Sequence, residues 1–258
     1  MHLFHRDLGG AGLPPLVILH GMLGSSRNWV TAGAELATSY HVFALDLRNH
    51  GRSPHEDVMT YAAMVDDVAE WIDTQGFEQV TLLGHSLGGK VAMRLACRLP
   101  SRVERLIIVD IAPRDYSQKT ERTEFAAMNA LRLDAIKSRG DAERAMEPLM
   151  PDWAMRKFLT TNLDQGADGT WRWIINLPAL TAAVSELVKS PLDWDDYFVG
   201  PTRFIVGGKS DFVRPQDYET KIRKHFIWAE LVTIAASGHN PHMETRAEFV
   251  RAVAAEWA

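Results

Sequence analysis

The chain has 258 residues, enough for one large α/β domain or for such a domain with an inserted subdomain. Its composition, 46% hydrophobic and 24% charged, is that of a soluble globular protein, and a formal net charge of −5 argues against nucleic acid or an anionic membrane as the main partner. A single cysteine, Cys97, excludes an internal disulfide framework. Cys97 reads as buried filler on the apolar side of a helix. Residues 1–7 hold no long apolar segment of the signal-peptide kind. No uninterrupted apolar run approaches ~18 residues, so no membrane span is expected and the cytoplasm is the expected compartment.

In chain order, Leu16-Val17-Ile18-Leu19, Val42-Phe43-Ala44-Leu45, Val80-Thr81-Leu82-Leu83 and Leu106-Ile107-Ile108-Val109 read as buried strands. None alternates strictly, as expected where helices cover both faces of a parallel sheet. Between them, residues 61–72 place Tyr61, Met64, Val65, Val68, Trp71 and Ile72 on one helical stripe, with Thr60 as N-cap and Gly76 as stop. Alternating strands and helices with short connections predict a doubly wound, mostly parallel sheet. The rhythm breaks after Pro113. From Arg114 to about Tyr197 helices are expected at 121–133, 141–150 and 177–188, with no convincing strand. The strands Thr202-Arg203-Phe204-Ile205-Val206 and Ala229-Glu230-Leu231-Val232-Thr233-Ile234 then resume. The expected organisation is a core of residues 1–113 and 200–258 with a helical cap, 114–199, inserted in it. Trp153, Trp171, Trp173 and Trp194 fall in the cap, where they would either wall an apolar ligand pocket or staple a small subdomain.

Gly84-His85-Ser86-Leu87-Gly88 lies between a predicted strand and a predicted helix and has the G-x-S-x-G form of a nucleophile elbow, with Ser86 raised on a sharp turn. A serine hydroxyl is a weak nucleophile that needs a base, and the base needs an acid to orient it. In this fold the chain order is nucleophile, acid, histidine. His239 follows the last strand and a glycine, Gly238, and is the expected base. His242 suits a structural or pocket-rim role, and His225, among basic neighbours, a solvated one. Two aspartates compete for the acid. The loop Gly207-Gly208-Lys209-Ser210-Asp211-Phe212-Val213 puts Ser210 at the usual acid position and Asp211 one place late. Asp110, at the end of the Leu106–Val109 strand, emerges on the same sheet edge as Ser86 and is favoured over Asp211. Two aimed N–H donors are needed for an oxyanion hole. Leu87, after the nucleophile, and Met22, in His20-Gly21-Met22-Leu23-Gly24-Ser25, are the expected backbone donors. His20 reads as a hydrogen-bonding support of that loop.

These residues resemble the α/β-hydrolase superfamily, and more narrowly the YbfF-like esterases and their mitochondrial relatives. The closer likeness rests on Arg48-Asn49-His50-Gly51, Lys90 after Gly88-Gly89, Val109-Asp110-Ile111-Ala112-Pro113, Gly207-Gly208-Lys209-Ser210 and Gly238-His239. The resemblance implies that Asp110 is the acid, and that the reaction is hydrolysis of short- to medium-chain acyl esters, with thioesters a related class, without a cofactor. Asp211 beside Ser210 departs from the pattern and keeps the usual-loop acid open. No clustered metal-ligand spacing and no G-x-G-x-x-G after the first strand occur, so neither metal nor dinucleotide is implied. The expected partner is a small acyl ester. Rival readings are other serine-centred chemistry on the same fold (C–C hydrolysis, acyl transfer, perhydrolysis or a lyase step) and a slow hydrolase acting as a ligand-binding receptor.

Overall fold

The computed structural model describes residues 1–116 and 123–257. In chain order the elements are β1 (His5–Asp7), β2 (Pro15–Leu19), α1 (Val30–Leu36), β3 (His41–Leu45), α2 (Tyr61–Thr74), β4 (Val80–His85), α3 (Leu87–Arg98) and β5 (Val103–Val109). There follow α4 (Thr123–Ala130), α5 (Arg139–Met146), α6 (Trp153–Thr160), β6 (Leu163–Gln165), β7 (Trp171–Trp173) and α7 (Leu177–Leu187). The chain closes with β8 (Thr202–Gly207), α8 (Arg223–His225), β9 (Ala229–Ile234), α9 (Pro241–Glu244) and α10 (Arg246–Ala254).

One sheet runs β1-β3-β2-β4-β5-β8-β9, parallel except for β1, which pairs antiparallel with β3. The strand sequences lack a polar face because both faces are covered. Val17, Leu19, Leu82, Leu106 and Ile108 pack with α2 and α3 residues such as Val68, Trp71, Val91 and Leu95. Leu16, Ile18, Leu83, Ile107 and Val109 turn to the other face, against Leu36 of α1 and Phe249 and Val253 of α10. The period-two alternation is therefore present, but hidden by apolar residues at every position. Helix α2 starts where its cap predicts: the Thr60 hydroxyl accepts from Ala63 N at 3.2 Å.

The segment between β5 and β8 departs from expectation. It contains a two-stranded hairpin, Leu163↔Trp173 to Gln165↔Trp171, where no strand was expected. Strands of three residues are too short to carry a readable alternation. Helix α4 ends at Ala130 rather than 133, and residues 121 and 122 of the expected helix lie outside the described residues. Helix α5 spans 139–146 rather than 141–150, and α6 was not anticipated.

Candidate active site

Strand β4 ends at His85 and α3 begins at Leu87, so Ser86 alone makes the turn. It does so at φ 51° and ψ −113°, a conformation that costs a non-glycine residue about 1–3 kcal/mol. The turn is held from both sides. Ser86 N donates to Val109 O at 3.1 Å, Gly88 N to His20 O at 3.1 Å and Lys90 N to Ser86 O at 3.0 Å. Glycine is required at both ends of the motif. A Cβ on Gly84 would lie 2.2 Å from Gly88 O, and one on Gly88 would lie 2.3 Å from Leu19 O. Strand and helix thus meet backbone to backbone, which leaves Ser86 standing above the sheet edge.

Asp110 ends the neighbouring strand in the same way, at φ 49°, and is fully buried. Its carboxylate accepts from three donors. Oδ1 accepts from Gly207 N at 2.9 Å, and Oδ2 accepts from the Ser210 hydroxyl and from His239 Nδ1 at 2.7 Å. The carboxylate on His239 is therefore that of Asp110. Asp211 is exposed and lines a cavity instead. Ser210 stands where the acid of this fold usually stands, and its hydroxyl now braces a carboxylate arriving from the adjacent strand. The sequence placed Ser210 in register but assigned it no part. The short loop Gly207–Ser210 beside an aspartate-free acid position was the available signal.

His239 is set by four further contacts. Its ring stacks on Phe212 at 3.7 Å between centroids, and its carbonyl accepts from His85 Nε2 at 2.8 Å. The Glu244 carboxylate accepts from Gly238 N at 2.6 Å and Asn240 N at 3.0 Å, which pins the loop on both sides of the imidazole. Burial holds His85 well below the usual histidine range, followed by repulsion from His239 and His242, so His85 is a neutral donor here. His242 sits on the rim, buried and stacked on Trp29 at 4.1 Å.

The loop after β2 carries Met22, and two buried histidines shape it. His20 bridges Gly21 O at 2.8 Å and Leu47 N at 3.0 Å, while His50 bridges Arg48 O at 2.9 Å and Leu23 N at 3.2 Å. Each ring uses one nitrogen as donor and the other as acceptor, so each must be neutral. Burial pushes His50 down to about 3, helped by the neighbouring His20. The Asn162 amide donates to Leu23 O at 2.9 Å, so the same loop also touches the segment between β5 and β8. Arg48 is locked below by Asp67, with contacts of 2.6 and 2.8 Å. These contacts give Arg48 and His50 of the Arg48-Asn49-His50-Gly51 run a structural part, which the sequence left open.

Met22, Ser86 and Leu87 line one cavity of ≈ 390 Å³, and Met22, Ser86 and His239 line a second of ≈ 550 Å³. Both fall in the range of small-molecule sites. Leu87 is the first residue of α3, where N–H groups have no partner within the helix.

Three other expectations change. His225 is buried rather than solvated, because its Nδ1 contacts Asp196 O at 2.7 Å. Trp153 and Trp194 are 59% and 91% exposed and line neither of the two cavities at Ser86. Trp171 and Trp173 pack on Ile136, Ala142 and Leu163 and staple the hairpin. Cys97 is half-buried, and burial pushes its thiol up to about 12, which removes it as a nucleophile. Among the described residues no group of three His, Cys, Asp or Glu is placed to hold a metal ion, and no helix is long and apolar enough to cross a membrane.

The chain matches the family model of the alpha/beta hydrolase fold over residues 14–245. It is 34% identical to Esterase YbfF of Escherichia coli (strain K12) over 93% of this chain and 91% of that protein. It is 35% identical to a Xenopus laevis protein named sn-1-specific diacylglycerol lipase ABHD11, over 93% of this chain and 78% of that one. Among solved structures, a marine microorganism esterase superposes with a TM-score of 0.94 at 34% identity, covering 98% of both chains. Fold, elbow and kinship agree, and the chain belongs to the α/β-hydrolase superfamily and, within it, to the YbfF-like esterases, which are carboxylic ester hydrolases.

Proposed function

We propose that the protein hydrolyses short- to medium-chain acyl esters, with thioesters a related class, through a Ser86–His239–Asp110 triad and an acyl-enzyme. The observation that carries this reading is the 2.7 Å contact between His239 Nδ1 and Asp110 Oδ2 beside the strained Ser86 turn. With Nδ1–H donated to the carboxylate, Nε2 keeps its lone pair for the serine proton. Ser86 Oγ attacks the acyl carbon, and its proton passes to His239 Nε2. The oxyanion that forms is stabilised by the N–H groups of Leu87 and Met22. Collapse breaks the ester C–O bond, and the departing alcohol takes the proton from His239. Water, deprotonated by the same histidine, then attacks the acyl-enzyme and frees Ser86. Residues 114–199 act as a cap over a core of 1–113 and 200–258, and the Asn162–Leu23 contact supports this by joining that segment to the oxyanion loop.

The test is turnover of p-nitrophenyl acetate and butyrate by wild type and Ser86→Ala. Wild type should release p-nitrophenol with a burst and a steady phase, and Ser86→Ala should show neither. Equal rates in both proteins would refute the reading.

A further inference from the structure

Among the described residues, Leu23, Asn49, Ser86 and Asp110 are the non-glycine residues with positive φ. Strained backbone of this kind collects at functional sites and persists only where its surroundings hold it. Ser86 and Asp110 belong to the proposed triad. Asparagine enters the left-handed region readily, which accounts for Asn49. Leu23, at φ 61°, is left over, and a bulky aliphatic residue in that region is an outlier. It is the third residue of the turn Gly21-Met22-Leu23-Gly24, closed by Gly24 N donating to Gly21 O at 3.0 Å. A positive φ at the third position of such a turn normally calls for glycine. Leu23 directly follows Met22, so whatever fixes Leu23 also fixes the turn that carries the Met22 N–H.

Two side chains hold Leu23. His50 Nε2 accepts from Leu23 N at 3.2 Å, and Asn162 Nδ2 donates to Leu23 O at 2.9 Å. The peptide groups on both sides of the strained residue are thereby fixed, one by the core and one by the segment between β5 and β8. Asn162 is only 2% exposed, and its backbone is itself tied down. Its N–H donates to Leu159 O at 3.1 Å, at the end of α6, and its carbonyl accepts from Ile174 N at 2.8 Å, across the base of the β6–β7 hairpin. Helix and hairpin thus converge on one amide. Resting on the serine-hydrolase reading above, we infer that Asn162 is a positioning residue for the oxyanion hole, which clamps Leu23 in its left-handed conformation and so aims the Met22 N–H.

The same segment touches the core a second time, away from Leu23. Asn176 Nδ2 donates to Asn49 Oδ1 at 3.1 Å, and Asn176 N donates to Asn49 O at 3.0 Å. Asn49 is also held by Glu56 N, which donates to its Oδ1 at 2.8 Å, and by its own N–H, which donates to Pro54 O at 3.1 Å. Its place does not depend on the Asn176 side chain. Leu23 is in the opposite position. Released from Asn162, it relaxes towards negative φ and turns the Met22 N–H off its target. A misplacement of about 1 Å can cost about 100-fold in rate, and loss of a whole oxyanion donor about 10²–10³-fold. Donors aimed at the oxyanion act on the transition state, so the loss falls on kcat and spares KM.

The experiment measures kcat and KM for p-nitrophenyl butyrate, and inhibition by an alkyl trifluoromethyl ketone, on the full-length protein. In the ketone adduct Ser86 Oγ bonds to the carbonyl carbon, the serine proton passes to His239 Nε2, and the carbonyl electron pair becomes the oxyanion. Asn162→Ala should lower kcat and kcat/KM together by about 10-fold to 100-fold and raise the ketone's inhibition constant by a similar factor. Asn176→Ala should lower Tm and leave kcat within about threefold of wild type. Should Asn162→Ala fail to fold, Asn162→Leu, of nearly the same volume, removes the same donor without opening a cavity. A kcat within about threefold of wild type in a folded Asn162 variant overturns the assignment. So does a kcat loss with the inhibition constant unmoved, or an equal kcat loss in Asn176→Ala. Absence of Ser86-dependent hydrolysis in wild type would instead sink the underlying esterase reading.

Discussion

Replacing Asp110 by asparagine keeps the shape of the site and removes one charge, so it isolates what the carboxylate does. The carboxylate accepts from three donors, Gly207 N, the Ser210 hydroxyl and His239 Nδ1. An amide offers one oxygen and one NH2, and two orientations follow. If the oxygen stays on Gly207 N, the NH2 faces His239 Nδ1, which must then accept. The imidazole proton moves to Nε2, the nitrogen that has to take the serine proton, and the base is lost. If the amide flips, its NH2 meets the Gly207 N–H at 2.9 Å, and two buried donors face each other at a cost of about 1–3 kcal/mol. The inactive orientation is therefore the populated one, and the imidazolium formed in the transition state also loses its counter-charge. Together these should lower kcat by about 10⁴-fold, or roughly 5 kcal/mol. Steady-state hydrolysis of p-nitrophenyl butyrate measures it, with circular dichroism to verify the fold. Asp211→Asn is the control and should stay within about threefold of wild type. The reasoning is refuted if Asp110→Asn keeps a tenth or more of wild-type kcat (roughly tenfold), or if Asp211→Asn falls as far.

Other outcomes follow from the same contacts. Ser210→Ala removes one of three donors to the Asp110 carboxylate and should cost about tenfold in kcat with KM unchanged, since charge-assisted bonds contribute about 1.5–3 kcal/mol. Gly88→Ala drives a Cβ into Leu19 O and His20 O, both backbone, so it should destabilise by about 3 kcal/mol or more in urea titration. Lys90→Met removes three hydrogen bonds, two of them to the buried Leu187 and Val188 carbonyls, should cost about 3 kcal/mol, and should lower Tm by about 6–12 °C in calorimetry. His50 and His242 are both held at about 3 by burial, against roughly 6.5 in the unfolded chain. Their folded values are depressed, so the unfolded state binds more protons between those limits and stability falls as pH falls. Each should cost about 1.4 kcal/mol per pH unit below ~6.5, and His242→Phe should flatten the slope of the urea midpoint between pH 7 and 5.

Much of this protein was legible from the chain alone because the signals are local. The elbow Gly84–Gly88 is a contiguous motif whose two glycines are forced by contacts within one strand–turn–helix unit. The strands β2, β3, β4 and β5 announce themselves because burial on both faces demands largely apolar runs. The hairpin β6–β7 stayed hidden because six paired residues are too few to show a period, and its tryptophans were pulled into it by packing on Ile136 and Leu163. His225 looked solvated by its neighbours and is buried by a partner far along the chain, the Asp196 carbonyl.

The sequence by itself determined the fold, the sharp turn that carries Ser86 and the loop that carries His239, since each is written in consecutive residues. Only the tertiary structure decided which aspartate meets His239. Asp110 and Asp211 are 101 positions apart, and sequence register can rank them but cannot measure which carboxylate reaches Nδ1. The pairing of β5 with β8 brings Asp110 under Gly207 and Ser210, so that Ser210, at the usual acid position, braces a carboxylate supplied by the neighbouring strand.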